Sequence, residues 1–304
     1  NKFNGYKENQ VWVLGDSMTR GSLSDNTETI PAQLSSFNLN KVSFRNFGTG
    51  GYGIINSHKT LEWALRKFNK QPELIIFISY LNDLSDDNRT VKRLSAFQNN
   101  KTDPFKYSMG GQFQKYISKF MPKLFLSRIR ALRRTYFIVR NSLKDNFSYK
   151  EIKNNQKSKY FRFVNNSEKN LKNFIKTTRE NQIPFAIFLI SPSPDKLKSN
   201  LKLHKIYSSF LERVAKEEQI PYLFISHELM KDEIKNSFFD SKINLVDKLY
   251  GFPDRHLKEE GYFIVSKIIA KNLIKMNLLD DYEISNGQFS NKTNYLPFKE
   301  NCPY

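Results

Sequence analysis

Five short apolar runs constrain the fold of this chain more than any other feature of its sequence. They are QVWVLG at 10–15, KVSFRNF at 41–47, ELIIFIS at 73–79, IPFAIFLI at 183–190 and IPYLFI at 220–225. Helical spacing of apolar residues is found at about 57–69, 113–143, 167–181, 203–218 and 257–276. Strands that are apolar along most of their length, alternating with amphipathic helices, indicate a parallel sheet covered on both faces. The sequence therefore predicts an α/β fold, a three-layer α/β/α sandwich around a five-stranded parallel sheet.

Two segments lie outside a minimal sandwich. A helical insertion of about 84–159 follows the third strand and contains a basic, aromatic stretch at 119–140. We interpret this stretch as an extra helical layer on the sheet, and a lid or a helix lying on a membrane surface is the alternative. Residues 282–304 are polar with isolated aromatics and are expected to form an irregular tail. Residues 1–281 are then expected to form a single domain.

The positive charge of the chain does not by itself indicate a nucleic-acid partner. Lys and Arg number 49 against 30 Asp and Glu, which gives a net charge of +19. The basic residues are mostly Lys scattered among Asn, Ile and Phe, and no recognisable nucleic-acid-binding module is present, so we expect no such partner. The longest apolar runs have the length of strands and are far too short to span a bilayer. Cys302 is the one cysteine and cannot form an internal disulfide.

The first residues of the sequence bear on the cellular compartment of the protein. The chain starts without Met and without a charged-then-apolar leader, as a sequence does after a signal or an anchor has been removed. A location in the cell envelope or periplasm, or outside the cell, is expected ahead of the cytoplasm, which stays open. Nothing in the sequence indicates an oligomeric state.

The second apolar run leads into a glycine-rich turn, FRNFGTGGYGIIN at 44–56. Gly48, Gly50 and Gly53 match the G-x-G-x-x-G spacing of a dinucleotide-binding turn. Such a site also needs an acidic residue at the far end of the next strand, whereas Glu73 stands at the start of that strand. The fingerprint normally follows the first strand of its domain, and here it follows the second. We therefore expect these glycines to serve another kind of site.

Residues suited to acyl transfer follow three of the predicted strands and precede the last helix. Ser17 follows the first strand, where a turn would lift its hydroxyl above the sheet edge. Asp254 stands two residues before His256, and in an extended segment it would point to the same side and orient the imidazole as a base. The alternative for Ser17 and Asp254 is that they cap helices. Candidate oxyanion donors are the Ser17 N–H, an N–H of the glycine turn and the Asn82 amide, all at one rim of a parallel sheet.

In this order along the chain, the motifs resemble those of the SGNH/GDSL hydrolase superfamily. The matching blocks are Gly15-Asp16-Ser17, the N-x-G-x-x-G of Asn46 to Gly51, Asn82-Asp83, and Asp254-x-His256 followed by Gly261. The resemblance spans about 10–90 and 183–277, and it implies a flavodoxin-like sandwich.

The resemblance also implies a role for each matching residue. Ser17 would be the nucleophile, and His256 would be the base, oriented by Asp254. Gly51 and Asn82 would hold the oxyanion beside the Ser17 N–H. The supporting residues would be Asp16, Asn46 and Asp83.

Three positions depart from the usual pattern of the superfamily. Tyr80 stands two residues before Asn82, where a Gly is usual, and is expected to narrow the cleft or alter the loop. Asp254 precedes His256 by two residues where many members have three, which resembles branches that act on cell-surface polysaccharides. Met18 replaces the Leu of the first block, a mild change between apolar residues.

The function expected from these residues is that of a serine esterase without a cofactor or a metal. The resemblance favours a short acyl ester, such as an acetyl group, on a carbohydrate or a cell-surface glycan. Three alternatives stay open, namely an O-acyltransferase using the same acyl-enzyme, a lipid esterase or phospholipase, and a non-catalytic binding protein with this fold. His58, His204 and His227 lack a neighbouring carboxylate of the Asp254 type and are expected to be structural, with His227 the nearest substitute for the base.

Overall fold

A computed structural model of the 304-residue chain describes residues 9–22, 24–37, 42–98, 159–199, 201–236, 249–251 and 256–279. The five apolar runs all form strands, as predicted. These strands are β1 (Asn9–Gly15), β2 (Val42–Gly48), β3 (Leu74–Ser79), β4 (Phe185–Ile190) and β5 (Tyr222–Ile225).

The five strands form one parallel sheet in the order β2-β1-β3-β4-β5. This is the strand order of flavodoxin-like doubly wound folds, as the sequence predicted. Gly15, at the carboxyl end of β1, pairs with Gly48 of β2 and with Ile78 of β3. The loops that follow these three strands therefore start side by side at one rim of the sheet.

Helices surround this sheet in the described part of the chain. They are α1 (Ser17–Arg20), α2 (Ile30–Phe37), α3 (Ile54–Lys67), α4 (Asp83–Gln98), α5 (Lys159–Glu180), α6 (Pro194–Ser199), α7 (Leu201–Glu217), α8 (His227–Asn236) and α9 (Glu259–Lys275). The helices predicted near 57–69, 167–181, 203–218 and 257–276 are confirmed as α3, α5, α7 and α9. The sequence pattern did not predict α1, α2, α4, α6 or α8, most of which are short or polar.

Alternate residues of the central strands feed two hydrophobic cores, one on each face of the sheet. Val11 and Val13 of β1 pack on the side covered by α2, α8 and α9. Trp12 and Leu14 pack on the opposite side, with α3, α5 and α7. Since both faces are covered, the interiors of the central strands β1, β3 and β4 are apolar on both sides, which is why their runs are nearly continuous in the sequence.

The insertion predicted at about 84–159 begins within α4 and ends where α5 begins. The first turns of α4 belong to the core, because Leu84 is 2% exposed and packs with α3 and α5. The helix predicted at 113–143, the basic stretch 119–140 and the tail 282–304 lie outside the described residues. None of the described helices is long and apolar enough to cross a membrane.

Candidate active site

Ser17 and His256 meet at the carboxyl end of β1, although 239 positions separate them in the sequence. Ser17 is the first residue of α1, and the Asp16 side chain caps that helix by accepting the Met18 N–H at 2.8 Å. The Ser17 Oγ lies 2.8 Å from the His256 Nε2. A hydroxyl within hydrogen-bond reach of an imidazole is the arrangement of a nucleophile and its general base.

The segment that carries His256 is held by backbone hydrogen bonds and by close packing. The Gly251 N–H donates to the His256 carbonyl at 2.8 Å, and the Lys258 N–H donates to the Leu249 carbonyl at 2.8 Å. Gly261, in the first turn of α9, lies so close that a Cβ there would be 2.4 Å from the Leu249 oxygen. This contact explains the glycine that follows the histidine motif, since only a residue without a side chain fits.

Tyr250 ties the same segment to the sheet. Its hydroxyl donates to the Ser191 carbonyl, at the end of β4, at 3.1 Å, and its side chain is 1% exposed. Asp254, the predicted partner of the imidazole, lies outside the described residues, and its role stays a prediction.

The glycine turn after β2 packs directly against α1. The Asn46 side chain donates to the Thr19 carbonyl at 3.1 Å and accepts the Gly48 N–H at 2.8 Å, so it braces the turn on α1. A Cβ at Gly48 would lie 2.4 Å from the Arg20 nitrogen. The turn therefore needs bare backbone because a helix passes beside it, and the bracing contact agrees with the supporting role expected of Asn46.

Gly50 and Gly51 continue this turn past Ser17. A Cβ at Gly50 would lie 3.9 Å from the Ser17 Cβ, so the turn passes beside the hydroxyl. Gly51 has a φ of +79°, a left-handed conformation that favours glycine, and the space around its Cβ position is open for 4 Å. Its proposed role as an oxyanion donor stays a prediction.

The Asn82 side chain belongs to the same network as Ser17. Its Nδ2 donates to the Asp86 Oδ2 at 2.7 Å, and hydrogen bonding from Asn82 lowers the pKa of Asp16. The Asp16 Oδ2 in turn accepts the Ser17 hydroxyl at 3.3 Å. The expected nucleophile and the expected side-chain donor thus share one buried carboxylate.

Burial raises the pKa of Asp16 from 3.8 to about 6, although hydrogen bonds from Met18, Asn82 and Ser17 lower it. The side chain is fully buried. A carboxylate there is hydrogen bonded on several sides, which suits a group that orders the loop around Ser17.

Asp83 is a buried anchor below the rim. Its Oδ2 accepts hydrogen bonds from the Ser79 hydroxyl at 2.7 Å, the Tyr207 hydroxyl at 2.9 Å and the Tyr80 N–H at 3.1 Å. Burial, followed by the nearby charge of Asp16, raises its pKa well above the ordinary value. These contacts tie the end of β3 to α7, which fits the supporting role expected of Asp83.

Tyr80 packs inward at the position where the superfamily usually has Gly. Its side chain is 7% exposed and belongs to the core on the side of α2 and α9. A buried Tyr80 acts on the loop of Asn82 through packing.

Asp87 holds the start of α3 from a neighbouring helix. Its Oδ1 accepts the Ile55 N–H at 2.9 Å, and its Oδ2 accepts the Ser167 hydroxyl of α5 at 2.8 Å. The cap residue of α3, Gly53, has no side chain to do this, and a Cβ there would lie 2.4 Å from the Asp87 Oδ1. Burial raises the pKa of Asp87 to about 6, against the hydrogen bonds that it accepts.

Sequence reasoning missed Asp86, Asp87 and Tyr207. The first two stand in DLSDDNRT, which has the polar composition of a solvent-exposed helix start. The signal that could have identified the two aspartates as site residues is the acidic cluster that follows Asn82 in the sequence.

The other three histidines have structural surroundings. The His58 Nε2 lies 2.7 Å from the Thr177 Oγ1, and its ring stacks on Phe174. Burial, followed by the charge of His227, lowers the pKa of His204 to about 4. The His227 Nδ1 lies 2.8 Å from the Ser191 Oγ, and burial lowers the pKa of this imidazole too.

The described ranges contain no cluster of side chains suited to binding a metal ion. No group of three or more His, Cys, Asp or Glu side chains among the described residues is arranged to hold a metal ion.

Comparisons with known proteins find similarity in fold. No protein-family model matches the sequence, and no curated protein matches it either. An esterase from Pseudoalteromonas is similar with a TM-score of 0.47 and 9% identity over 88% of this chain and 98% of that chain. A G-D-S-L lipolytic family member from Veillonella parvula has a TM-score of 0.45 and 12% identity over 86% of this chain and 96% of its own.

A GDSL-like lipase from Bacteroides thetaiotaomicron has a TM-score of 0.42 and 14% identity over 88% of this chain and 89% of that chain. The three solved structures to which the chain is similar are thus an esterase, a member of a G-D-S-L lipolytic family and a GDSL-like lipase. At such low identities and TM-scores, the chemistry of the site has to be inferred from its own residues.

Proposed function

We propose that this protein is a serine esterase in which Ser17 is the nucleophile and His256 is the general base. One observation carries the proposal: the Ser17 Oγ lies 2.8 Å from the His256 Nε2 at the carboxyl rim of a parallel sheet. Ser17 is part-exposed there and stands at the start of a helix. The reacting hydroxyl thus has a base within reach and solvent on one side.

The reaction proceeds through an acyl-enzyme. His256 accepts the Ser17 proton while the Ser17 Oγ forms a bond to the ester carbonyl carbon, which makes a tetrahedral oxyanion. The protonated imidazole then gives this proton to the leaving alkoxide as the C–O ester bond breaks. Water attacks the acyl-enzyme with His256 again as base, and the acid is released with Ser17 restored.

Three donors are proposed for the oxyanion, namely the Ser17 N–H, the Gly51 N–H and the Asn82 side-chain amide. The support is positional. The glycine turn is braced on α1 by Asn46, and Asn82 shares the Asp16 carboxylate with Ser17. Donors of this kind each contribute about 10²–10³ to kcat in other acyl-transfer enzymes.

For the substrate, we propose a short acyl ester such as an acetyl group on a carbohydrate. The support is the Asp-x-His spacing at 254–256, which resembles that of branches acting on cell-surface polysaccharides. Transfer of the acyl group to a sugar hydroxyl would use the same acyl-enzyme, and is the outcome to be compared with hydrolysis. Hydrolysis of a lipid ester is the third outcome to be compared, and in that case the basic stretch 119–140 would contact the membrane surface.

The deciding experiment is turnover of p-nitrophenyl acetate by wild type, Ser17→Ala and Ser208→Ala. Ser208 is a matched control, because its hydroxyl donates to the Lys205 carbonyl on α7. Ser17→Ala is expected to lose at least about 10³ in kcat, while Ser208→Ala keeps the wild-type rate. Equal rates for wild type and Ser17→Ala would rule out the nucleophile.

Substrate class is tested with three further measurements. A series of p-nitrophenyl esters of increasing chain length is expected to give the highest kcat/KM for acetate. Acetylated glycans, with and without an added acceptor sugar, separate hydrolysis from transfer. A preference for long chains together with binding to anionic liposomes would favour the lipid esterase instead.

A further inference from the structure

We propose that Asp86 is a positioning residue that fixes the Asn82 amide for oxyanion binding. The inference rests on the proposed function, in which Asn82 is an oxyanion donor. Asp86 stands one helical turn after Asn82, its side chain is fully buried, and its Oδ2 accepts the Asn82 Nδ2–H at 2.7 Å. A buried carboxylate at this distance makes a strong, charge-assisted hydrogen bond.

The charges around Asn82 determine which way its amide faces. Its Nδ2 donates to the Asp86 carboxylate, and an ionised carboxylate can only accept. Turning the amide over would place its oxygen against the Asp86 carboxylate. The Asn82 Oδ1 is buried and has no hydrogen-bond partner among the described residues, so the orientation depends on the Nδ2 side.

The hydrogen bond to Asp86 occupies one of the two N–H groups of the Asn82 amide. Asn82 lowers the pKa of Asp16, and the Asp16 Oδ2 lies 3.3 Å from the Ser17 Oγ, so the Asn82 amide and the nucleophile have this carboxyl group as a common neighbour. The N–H that is not bound to Asp86 is the one that donates to an oxyanion forming on the Ser17 ester adduct. The N–H on Asp86 stays bound during this change and keeps the amide plane in place.

Arg89 supports this arrangement from the surface. It forms an ion pair with Asp86 across one helical turn, and its side chain is 57% exposed while that of Asp86 is 0% exposed. The guanidinium thus partners a buried charge that would otherwise be costly to keep.

The activity test compares Asp86→Ala with Asp86→Asn. Asp86→Ala removes the acceptor and is expected to lower kcat about 10- to 100-fold with KM little changed, because a displaced donor loses transition-state binding. Asp86→Asn keeps a side-chain oxygen that can accept the same N–H, and is expected to stay within about threefold of wild type. The control is Asp232→Ala, which removes an exposed carboxylate on α8 and is expected to behave as wild type.

A double-mutant cycle separates positioning from a general effect on folding. In an Asn82→Ala background, Asp86→Ala is expected to cost less than about twofold in kcat, because the group through which it acts is absent. An equal loss in both backgrounds, or wild-type kcat in a folded Asp86→Ala protein, would overturn the proposal.

A measurement independent of turnover completes the test. Hydrogen exchange of the Asn82 side-chain amide, assigned with Asn82→Ala, is expected to speed up about tenfold in Asp86→Ala and little in Asp86→Asn. Unchanged exchange in Asp86→Ala would overturn the positioning role. Failure of the proposed function has a different signature, since wild type and Ser17→Ala would then turn over ester equally.

Discussion

Replacing Gly261 with Ala should damage the site even though Ala is the better helix former. Gly261 lies in the first turn of α9 with no positive φ, so its backbone would accept a side chain. The added Cβ would lie 2.4 Å from the Leu249 oxygen and 2.9 Å from the Leu257 Cδ2. Ordinary van der Waals contact begins at about 3.4 Å, so α9 and the Leu249 backbone have to separate by about 1 Å.

The two energetic effects have opposite signs, and the steric one should be larger. Gly to Ala in a helix contributes up to about 1 kcal/mol of stability. Forcing a methyl group into a packed contact costs about 1–3 kcal/mol. The free energy of unfolding is therefore expected to fall by about 1 kcal/mol instead of rising.

The separation should also reach the active site. The Leu249 carbonyl accepts the Lys258 N–H at 2.8 Å, and the Gly251 N–H holds the His256 carbonyl, so movement of this segment carries His256 with it. A misplacement of about 1 Å between base and nucleophile can cost about 10² in kcat. Gly261→Ala is thus expected to lose much more activity than stability.

The assays are urea unfolding followed by fluorescence, and p-nitrophenyl acetate turnover at a temperature where both proteins are folded. Gly50→Ala is the control for stability, because its Cβ would meet Arg20 and Ser17 atoms only at 3.8 and 3.9 Å. A Gly261→Ala protein that is more stable than wild type and keeps its kcat would refute the close approach of α9 to Leu249.

Two further predictions concern the loops beside the site. Burial raises the pKa of Asp87 from 3.8 to about 6, so the native state binds an extra proton between these values and this group's contribution to stability falls as pH rises through them. The unfolding free energy of wild type minus that of Asp87→Asn is therefore expected to decrease by about 2 kcal/mol from pH 4 to 7. Asn46→Ala removes the hydrogen bonds to the Thr19 carbonyl and from the Gly48 N–H, and is expected to cost about 1–3 kcal/mol and to lower kcat.

Urea unfolding at several pH values measures the Asp87 effect, and the same assay with ester turnover measures the Asn46 effect. A constant difference between wild type and Asp87→Asn across this pH range would show that Asp87 titrates normally. Wild-type stability in Asn46→Ala would show that the glycine turn is held on α1 by other contacts.

The polar starts of the helices illustrate why part of the site escaped prediction. Asp86 and Asp87 occupy a charged stretch that would be solvated on an isolated helix. They are buried because α3 and α5 pack against α4, and the Ile55 N–H and the Ser167 hydroxyl point at Asp87. Whether a carboxylate faces water or a neighbouring helix depends on contacts between elements distant in the chain.

The sequence by itself determined the sheet and the rim. Residues of strands covered on both faces must be apolar, so the five runs could be recognised, and parallel pairing brought Ser17, the glycine turn and Asn82 to one edge. Only the tertiary structure decided that His256 reaches Ser17, because the 2.8 Å contact depends on how α9 packs on Leu249. The tertiary structure likewise decided that the buried Asp86 carboxylate holds Asn82, since burial and the distance between side chains are properties of the packed chain.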